Sequence, residues 1–232
     1  RGGSSLFLTT LSGTTLTITN ITMVNYDGNF LDSTAILAMT ITGSLFQNIT
    51  QNTTKGFIYM TGAASITFVN PSITSTKFEN IWVRHSVMLL EQNTKVVGLS
   101  SVVMNNIHKI PLTKKMKNAV DIEYESVWSG GICMLARVVT GYTIEKSNFT
   151  NIHSHCIGLT QAVLKIDTCI FDNSGLVGKY TSSLKNTSLT ETDGFSYVIL
   201  KDGTGDVNPG VIVEVLGSQF INNVNYPRYG GV

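Results

Sequence analysis

Charged residues are scarce in this chain. Of its 232 residues, 13% are Asp, Glu, Lys or Arg, and the formal net charge is +1, whereas a typical domain has about 25% charged residues. Such a balance provides no strongly basic surface for a polyanion or an anionic lipid. No apolar run approaches the length that a transmembrane helix needs. We therefore expect neither nucleic acid binding nor membrane insertion.

Cysteine is also scarce, with three residues in the chain. Three cysteines make a poor disulfide framework, and no CxxC or Cys/His ligand spacing is present, so we expect no zinc site. Cys133 and Cys156 are separated by one length of the sequence repeat described below, and that spacing is compatible with a disulfide. Two stacked free thiols are the alternative. Cys169 is predicted to be a small buried thiol.

What the chain has instead is a nine-residue phrase that returns about once every 22–26 residues. Its clearest copies are ITGSLFQNI, ITSTKFENI, LSSVVMNNI and IEKSNFTNI, which begin at Ile41, Ile73, Leu99 and Ile144. Position 1 is Ile or Leu, position 4 is small or modest in size, and position 6 is Phe or Met. Position 8 is asparagine, at Asn25, Asn48, Asn80, Asn106, Asn151, Asn173 and Asn222. A period of this length indicates a stacked, repetitive architecture.

The phrase has the alternation of β-strands rather than the spacing of a helix. Positions 1 and 4 share a face only if the chain bends near position 3. We therefore predict an all-β fold, a right-handed parallel β-helix (solenoid) of about nine coils that forms a single domain over residues 1–232. At about 4.8 Å per coil, the rod would be roughly 40–45 Å long. Position 6 is predicted to fill the core, and position 8 to form an inward-facing asparagine ladder at a turn.

The count of nine coils depends on two degraded copies of the phrase. The intervals between Asn106 and Asn151 and between Asn173 and Asn222 are twice the usual length, and residues 122–130 and 184–191 are the candidates for the missing copies. The interval between Asn48 and Asn80 requires an outward loop, at residues 51–56 or 62–65.

The phrase resembles right-handed parallel β-helix proteins of the pectin-lyase-like fold. More narrowly, it is similar to repeat-rich surface proteins of ciliates and to chlamydial polymorphic outer membrane proteins, which carry GGA[ILV] and FxxN motifs. The matching residues here are Gly130-Gly131-Ile132, Gly230-Gly231-Val232 and the FxN triplets that end at Asn48, Asn80 and Asn151. The departure is the FxN spacing, one residue shorter than FxxN. The resemblance implies a fold and carries no activity.

Five N-x-[ST] sequons occur, at Asn20, Asn48, Asn52, Asn148 and Asn186. Asn20, Asn52, Asn148 and Asn186 fall at corner, outward or loop positions, so we expect N-linked glycans there. Asn48 belongs to the predicted inward ladder and is expected to be unmodified. Glycans at these positions would indicate a secreted protein.

The best candidate for a ligand site is acidic. Glu123, Glu145 and Asp167 follow one another at intervals of one repeat length, which predicts a column of three outward carboxylates. This column is either a solvated stripe or a cation or sugar site, with structural Ca²⁺ as the candidate ion. His108 and His153 share position 10 with Trp82 and are expected about 10 Å apart. We find no convincing catalytic set and predict no catalytic residues, no enzyme activity and no cofactor.

The two ends of the chain are similar. Arg1-Gly2-Gly3 and Arg228-Tyr229-Gly230-Gly231 place a Gly-Gly pair near each terminus, and neither end has a cap. The chain is expected to be a processed or excised piece, and uncapped coils are templates for another chain. We expect an extracellular structural glycoprotein that stacks end to end into a filament or forms part of a longer surface protein. The alternatives are a carbohydrate-binding or polysaccharide-cleaving β-helix and a surface adhesin.

Overall fold

The computed structural model describes most of the chain. The described residues are 5–9, 14–33, 36–53, 55–61, 65–68, 76–91, 97–110, 132–153, 155–174, 199–202 and 212–223. Within these ranges there is no helix, and hence none long and apolar enough to cross a membrane.

The described residues form nineteen strands. In chain order they are β1 Ser5–Thr9, β2 Thr14–Thr19, β3 Thr22–Asp27, β4 Asn29–Ser33, β5 Ile36–Thr42, β6 Leu45–Gln51, β7 Ile58–Thr61, β8 Ser65–Phe68, β9 Thr76–Val83, β10 Ser86–Glu91, β11 Val97–Ser100, β12 Val102–Lys109, β13 Ile132–Glu145, β14 Asn148–His153, β15 His155–Asp167, β16 Ile170–Asp172, β17 Ile199–Asp202, β18 Ile212–Leu216 and β19 Gln219–Ile221.

All pairings between these strands are parallel, and they follow a simple rule. Through β10, each strand pairs with the strand three places later in the chain, so that β1 meets β4, β2 meets β5 and β3 meets β6. One sheet has seven strands in the order β19-β16-β14-β12-β9-β6-β3, and the other has twelve. The long strands β13 and β15 run through both halves of the larger sheet. The predicted all-β, parallel character is confirmed.

The side chains at position 6 of the phrase form a column in the core. Phe46, Phe78, Met104, Phe149 and Phe171 are adjacent in register and fully buried. Rings in this column lie face to face: Phe46 and Phe78 have centroids 4.9 Å apart, and Phe149 and Phe171 have centroids 4.8 Å apart. The isoleucines at position 9, including Ile49 and Ile81, form a second buried column.

Among the described residues, the chain turns at two positions of the phrase, where the backbone takes a positive φ. At position 3 these residues include Asn20 (φ 54), Gly43 (φ 58) and Lys146 (φ 49). At position 8 all seven asparagines have φ between 51 and 58. This left-handed conformation is costly for most side chains and is tolerated by Gly and Asn.

The turn at position 8 corrects the predicted direction of the asparagine side chains. A left-handed residue interrupts the alternation of the strand, so position 9 turns to the core and position 8 does not. Asn25, Asn48 and Asn222 are exposed, and Asn80 is half-buried. The inward-facing ladder was therefore wrong in orientation.

The number of strands corrects the predicted number of coils. In the seven-stranded sheet β12 pairs directly with β14, and β16 pairs directly with β19. No copy of the phrase is inserted in this sheet between Asn106 and Asn151 or between Asn173 and Asn222. Residues 122–130 and 184–191, proposed above as extra copies, lie outside the described residues.

The extra length between Asn48 and Asn80 falls partly at one of the predicted loops. A single residue, Gly28, separates β3 from β4, whereas residues 52–57 separate β6 from β7. The register partner of Leu31 is Ile58, so the added residues form a loop after Gln51. The remaining extra length lies between β8 and β9, in residues that the structure does not describe.

Candidate functional site

Side-chain amides link the asparagines at position 8 into what we call the asparagine ladder (Asn25, Asn48, Asn80, Asn106, Asn151, Asn173, Asn222). Nδ2 of Asn48 donates to Oδ1 of Asn25 at 3.1 Å, and Nδ2 of Asn80 donates to Oδ1 of Asn48 at 2.6 Å. Nδ2 of Asn106 donates to Oδ1 of Asn80 at 3.1 Å. Each asparagine thus ties its own strand to the preceding one.

The asparagine ladder changes partners at two points. Nδ2 of Asn151 donates to Asn105 rather than to Asn106, at 3.2 Å, and Nδ2 of Asn222 donates to Oδ1 of Asp172, at 3.4 Å. Between these points Asn173 donates to Asn151 at 2.6 Å. Both changes coincide with the long intervals in the sequence, between Asn106 and Asn151 and between Asn173 and Asn222.

A second polar row, at position 4, was not anticipated. In the hydroxyl row (Ser44, Thr76, Ser147, Ser218), each side-chain oxygen accepts a hydrogen bond from the position-4 backbone N–H of a neighbouring strand. Oγ of Ser147 accepts from N–H of Val102 at 3.1 Å and donates to the carbonyl of Glu145 at 2.8 Å. The sequence signal was the recurrence of Ser, Thr or Cys at position 4, interpreted above only as small size.

Large apolar side chains are exposed on strands at the two ends of the sheets. On β1 and β3 they are Leu6 (51% exposed), Phe7 (38%) and Val24 (42%), and on β18 and β19 they are Val215 (42%), Leu216 (40%), Phe220 (47%) and Ile221 (40%). Phe220 continues the position-6 column, with its ring 4.9 Å from that of Phe171. Among the described strands, each of these four has a neighbour on one side only.

The side chains at position 7 of the phrase also differ between the middle of the sheet and its two end strands. This column of the seven-stranded sheet runs, in register, through Val24, Gln47, Glu79, Asn105, Thr150, Asp172 and Ile221. The five inner members are polar, and the two outermost are exposed and apolar. Side chains in this column are not needed to fill the core, so the apolar residues at its two ends remain exposed to solvent.

The predicted acidic column holds a pair of carboxylates. Glu145 and Asp167 are register partners on β13 and β15, and the neighbour of Glu145 on the other side is Ser100 rather than Glu123. Glu123 lies outside the described residues. Asp167 Oδ2 is 4.0 Å from Nζ of Lys165, and Oδ1 accepts from the Thr168 hydroxyl at 2.8 Å. Local groups therefore already contact this carboxylate.

The face that carries these carboxylates is uneven in charge along its length. Its first two strands, β2 and β5, present Thr17, Thr19, Thr40 and Thr42, while β15 and β18 present Lys165, Asp167 and Glu214. The described face thus begins neutral and ends charged.

Three of the four predicted glycosylation sites are exposed. Asn20, Asn52 and Asn148 lie at the surface, and Asn186 lies outside the described residues. Asn48 is exposed as well, although it was expected to face inward. What distinguishes Asn48 is that its amide is hydrogen-bonded on both sides within the asparagine ladder.

The cysteines do not form the proposed bridge in this structure. Cys156 is a free, buried thiol, and so is Cys169. The register of β13 and β15 nevertheless brings the backbones of Cys133 and Cys156 side by side, as the repeat length predicted. Burial raises the pKa of the Cys169 thiol, which disfavours the reactive thiolate.

Three aromatic side chains stack closely at position 10. The His108 ring lies 4.4 Å from that of Trp82 and 4.5 Å from that of His153, with interplanar angles of 13° and 5°. The histidines were predicted to lie two strand spacings apart, and this was wrong because no strand separates β12 from β14. The three rings thus form one continuous face-to-face stack across β9, β12 and β14.

Within the described ranges, no group of three or more His, Cys, Asp or Glu side chains is placed to hold a metal ion. No protein-family model, curated protein sequence or solved structure matches the chain.

Proposed function

We propose that the chain is a right-handed parallel β-helix that acts as a structural, extracellular glycoprotein and stacks end to end. The pairing of each strand with the strand three places later is the pattern that a three-sided helical coil produces. Right-handedness follows from the strong preference of parallel crossover connections. The same surfaces would serve if the chain is part of a longer surface protein, where the next coil of the same polypeptide would cover them.

The observation that carries this proposal is the apolar character of the end strands. Val24 and Ile221 occupy a column that is polar everywhere between them. If β19 of one copy lies on β3 of the next in phase with the repeat, Ile221 meets Val24 and Phe220 meets Met23. Asn222 then lies beside Asn25, so the asparagine ladder continues across the joint. Residues 1–4 and 224–232, which hold the Gly-Gly pairs, lie outside the described residues.

Stacking of this kind has a defined axial repeat. In the part of the chain that the structure describes, the seven-stranded sheet contributes one strand per coil, and its seven strands at about 4.8 Å give a rise of about 34 Å per copy. This rise replaces the longer one expected from nine coils. Electron microscopy of the assembled protein measures it directly.

The test of assembly uses matched charge substitutions at position 7. Val24→Asp and Ile221→Asp place a carboxylate in the joint, where burial without a partner is unfavourable. Thr150→Asp places the same group in the same column away from the ends. We expect sedimentation velocity to show long assemblies for the wild type and for Thr150→Asp, and single copies for the two end variants.

Circular dichroism of each variant checks that the fold is retained. Wild-type protein that stays monomeric at all concentrations would contradict self-assembly. Equal assembly by all three variants would show that another surface joins the copies.

A second candidate function is carbohydrate binding at Glu145 and Asp167. The observation in its favour is that the two carboxylates are register partners on one face. It is the weaker candidate because Lys165 and Thr168 already contact Asp167. Oligosaccharide binding that is lost in Glu145→Gln would favour it over a purely structural role.

A further inference from the structure

The outward face of the seven-stranded sheet has a column at position 5 of the phrase in which polar and apolar residues alternate. In register order the column runs through Thr22, Leu45, Lys77, Val103, Asn148, Ile170 and Gln219. The four polar members are exposed, and the three apolar members are half-buried. Each apolar side chain in the column thus has a polar neighbour on both sides.

Lys77 and Asn148 occupy equivalent places in this column but differ in length. Lys77 lies between Leu45 and Val103, and Asn148 lies between Val103 and Ile170. The four-carbon stem of a lysine can lie along apolar neighbours while its amino group stays in water. The asparagine side chain has a single methylene group, so by itself it is too short to cover Val103 and Ile170 in this way.

Asn148 is also the acceptor residue of a sequon, Asn148-Phe149-Thr150. Phe149 is fully buried, so Asn148 and Thr150 both lie on the outward face of β14. The register partners of Thr150 are Asn105 and Asp172. The surface around Asn148 thus has apolar groups along position 5 and hydrogen-bonding groups along position 7, about 6.6 Å away.

We propose that the N-linked glycan at Asn148 packs against the sheet, with its first N-acetylglucosamine covering Val103 and Ile170. This sugar has a ring face formed largely by C–H groups and an acetyl methyl group, which bury apolar surface, while its hydroxyl groups point to Asn105 and Asp172. Removal of half-exposed apolar surface from water stabilises the folded state. The inference rests on the proposed glycoprotein, but it does not depend on end-to-end stacking.

The test compares the whole chain with and without the glycan. The wild type is produced in a eukaryotic secretory host, where peptide mass spectrometry measures occupancy of Asn148, and in bacteria that add no glycan. Asn148→Gln, produced in the same two hosts, accounts for glycans at the other sequons. We expect the wild type to gain a few degrees more than Asn148→Gln in the midpoint of thermal unfolding when the secretory host replaces bacteria.

Substitutions in the column separate packing from the mere presence of a glycan. Val103→Thr keeps the shape of the side chain and replaces a methyl group with a hydroxyl, and Ile170→Thr also reduces the apolar surface beside Asn148. Each should lower the stabilisation by the glycan to about half, because half of the covered apolar surface is lost. The matched control is Leu45→Thr, an apolar residue of the same column that does not adjoin Asn148, and it should leave this stabilisation unchanged.

A second measurement uses the secreted protein alone and decides the matter if the bacterial chain fails to fold. An endoglycosidase that cuts between the first two sugars has poor access to a glycan packed on the sheet. It should release the Asn148 glycan a few-fold faster from native Val103→Thr and Ile170→Thr than from native wild type or Leu45→Thr.

The outcomes distinguish this inference from the proposed function. An occupied Asn148 that adds no stability, or whose stabilisation and release rate are the same in Val103→Thr and Ile170→Thr as in the wild type, would overturn the packing and leave the glycoprotein intact. An empty Asn148 beside occupied sequons elsewhere would also overturn this inference alone. A secreted chain in which every sequon is empty would overturn both.

Discussion

The side chain and the backbone of Asn80 both contribute to the turn at which it lies. Its φ of 54 is a left-handed conformation, which an ordinary L-residue adopts at a cost of roughly 1–2 kcal/mol. Its amide donates to Asn48 and accepts from Asn106. Asparagine satisfies both requirements because its short side chain tolerates this backbone and carries both a donor and an acceptor.

Substitution of Asn80 separates these two contributions. Asn80→Gly keeps the backbone conformation and loses two side-chain hydrogen bonds, each worth about 1 kcal/mol. Asn80→Ala loses the bonds and adds backbone strain, so we expect a loss of unfolding free energy of about 2–4 kcal/mol. Urea denaturation of the two variants measures the difference. Equal losses for Gly and Ala would contradict the role of the left-handed turn.

The sequence predicted the buried residues better than the directions of the polar ones. The phenylalanines at position 6 lie in the core because alternation and hydrophobicity agree there, as at Phe46 and Phe149. The direction of Asn48 depends on a φ value that alternation does not contain. The burial of Gln51, whose amide contacts Asn29 on β4 and Thr53 in the following loop, was not predictable, because these residues belong to different strands and to a loop that does not repeat.

At the scale of the strands, the hydroxyl row secures the turn at position 3. Ser147 is fully buried, and its Oγ is the acceptor for the N–H of Val102 on the neighbouring strand. The sulfur of Cys169 occupies the same position on the next strand and contacts the carbonyl of Asp167 at 3.4 Å. Position 4 can therefore hold a small side chain whose polar atom is either a strong hydrogen-bonding group, such as a hydroxyl, or a weak one, such as a thiol.

We expect Ser147→Ala to lower the unfolding free energy by about 1–3 kcal/mol, because the buried N–H of Val102 loses its acceptor. Ser147→Cys should lose less, since a thiol is a weak acceptor that retains the volume. Thermal or urea unfolding compares the two. A Cys variant as unstable as the Ala variant would contradict this expectation and show that only a strong acceptor is useful at this position.

Spacing alone could not distinguish an extra strand from an excursion out of the sheet. The chain between Asn106 and Asn151 is about two repeats long, and an insertion of one repeat length leaves the phase of the phrase unchanged. The pairing of Met104 with Phe149 resolves the matter. A shorter insertion misled the sequence prediction at Ile73, which the phrase places at position 1. In the structure Phe68 holds that position, because it is the register partner of both Ile41 and Leu99.

At the scale of the whole molecule, the surface predicts which sequons carry glycans. In a eukaryotic secretory host we expect occupancy at Asn20, Asn52 and Asn148, and none at Asn48. Exposure is similar at all four, but a glycan on Asn48 would crowd Asn25 and Asn80 and disturb the asparagine ladder. Enzymatic deglycosylation in ¹⁸O-water followed by peptide mass spectrometry reports each site, and occupancy of Asn48 in folded protein would contradict the prediction.

The uneven charge on the larger sheet has a consequence for polymer length. In a head-to-tail assembly, the stretch with Lys165, Asp167 and Glu214 would recur as a charged band about every 34 Å along the axis. The Debye length is about 8 Å at physiological ionic strength and about 30 Å at 0.01 M. Successive bands are therefore electrostatically independent in ordinary saline. The electrostatic free energy of adding one copy is then the same whatever the length of the filament. Neighbouring bands would interact electrostatically only at very low salt concentration.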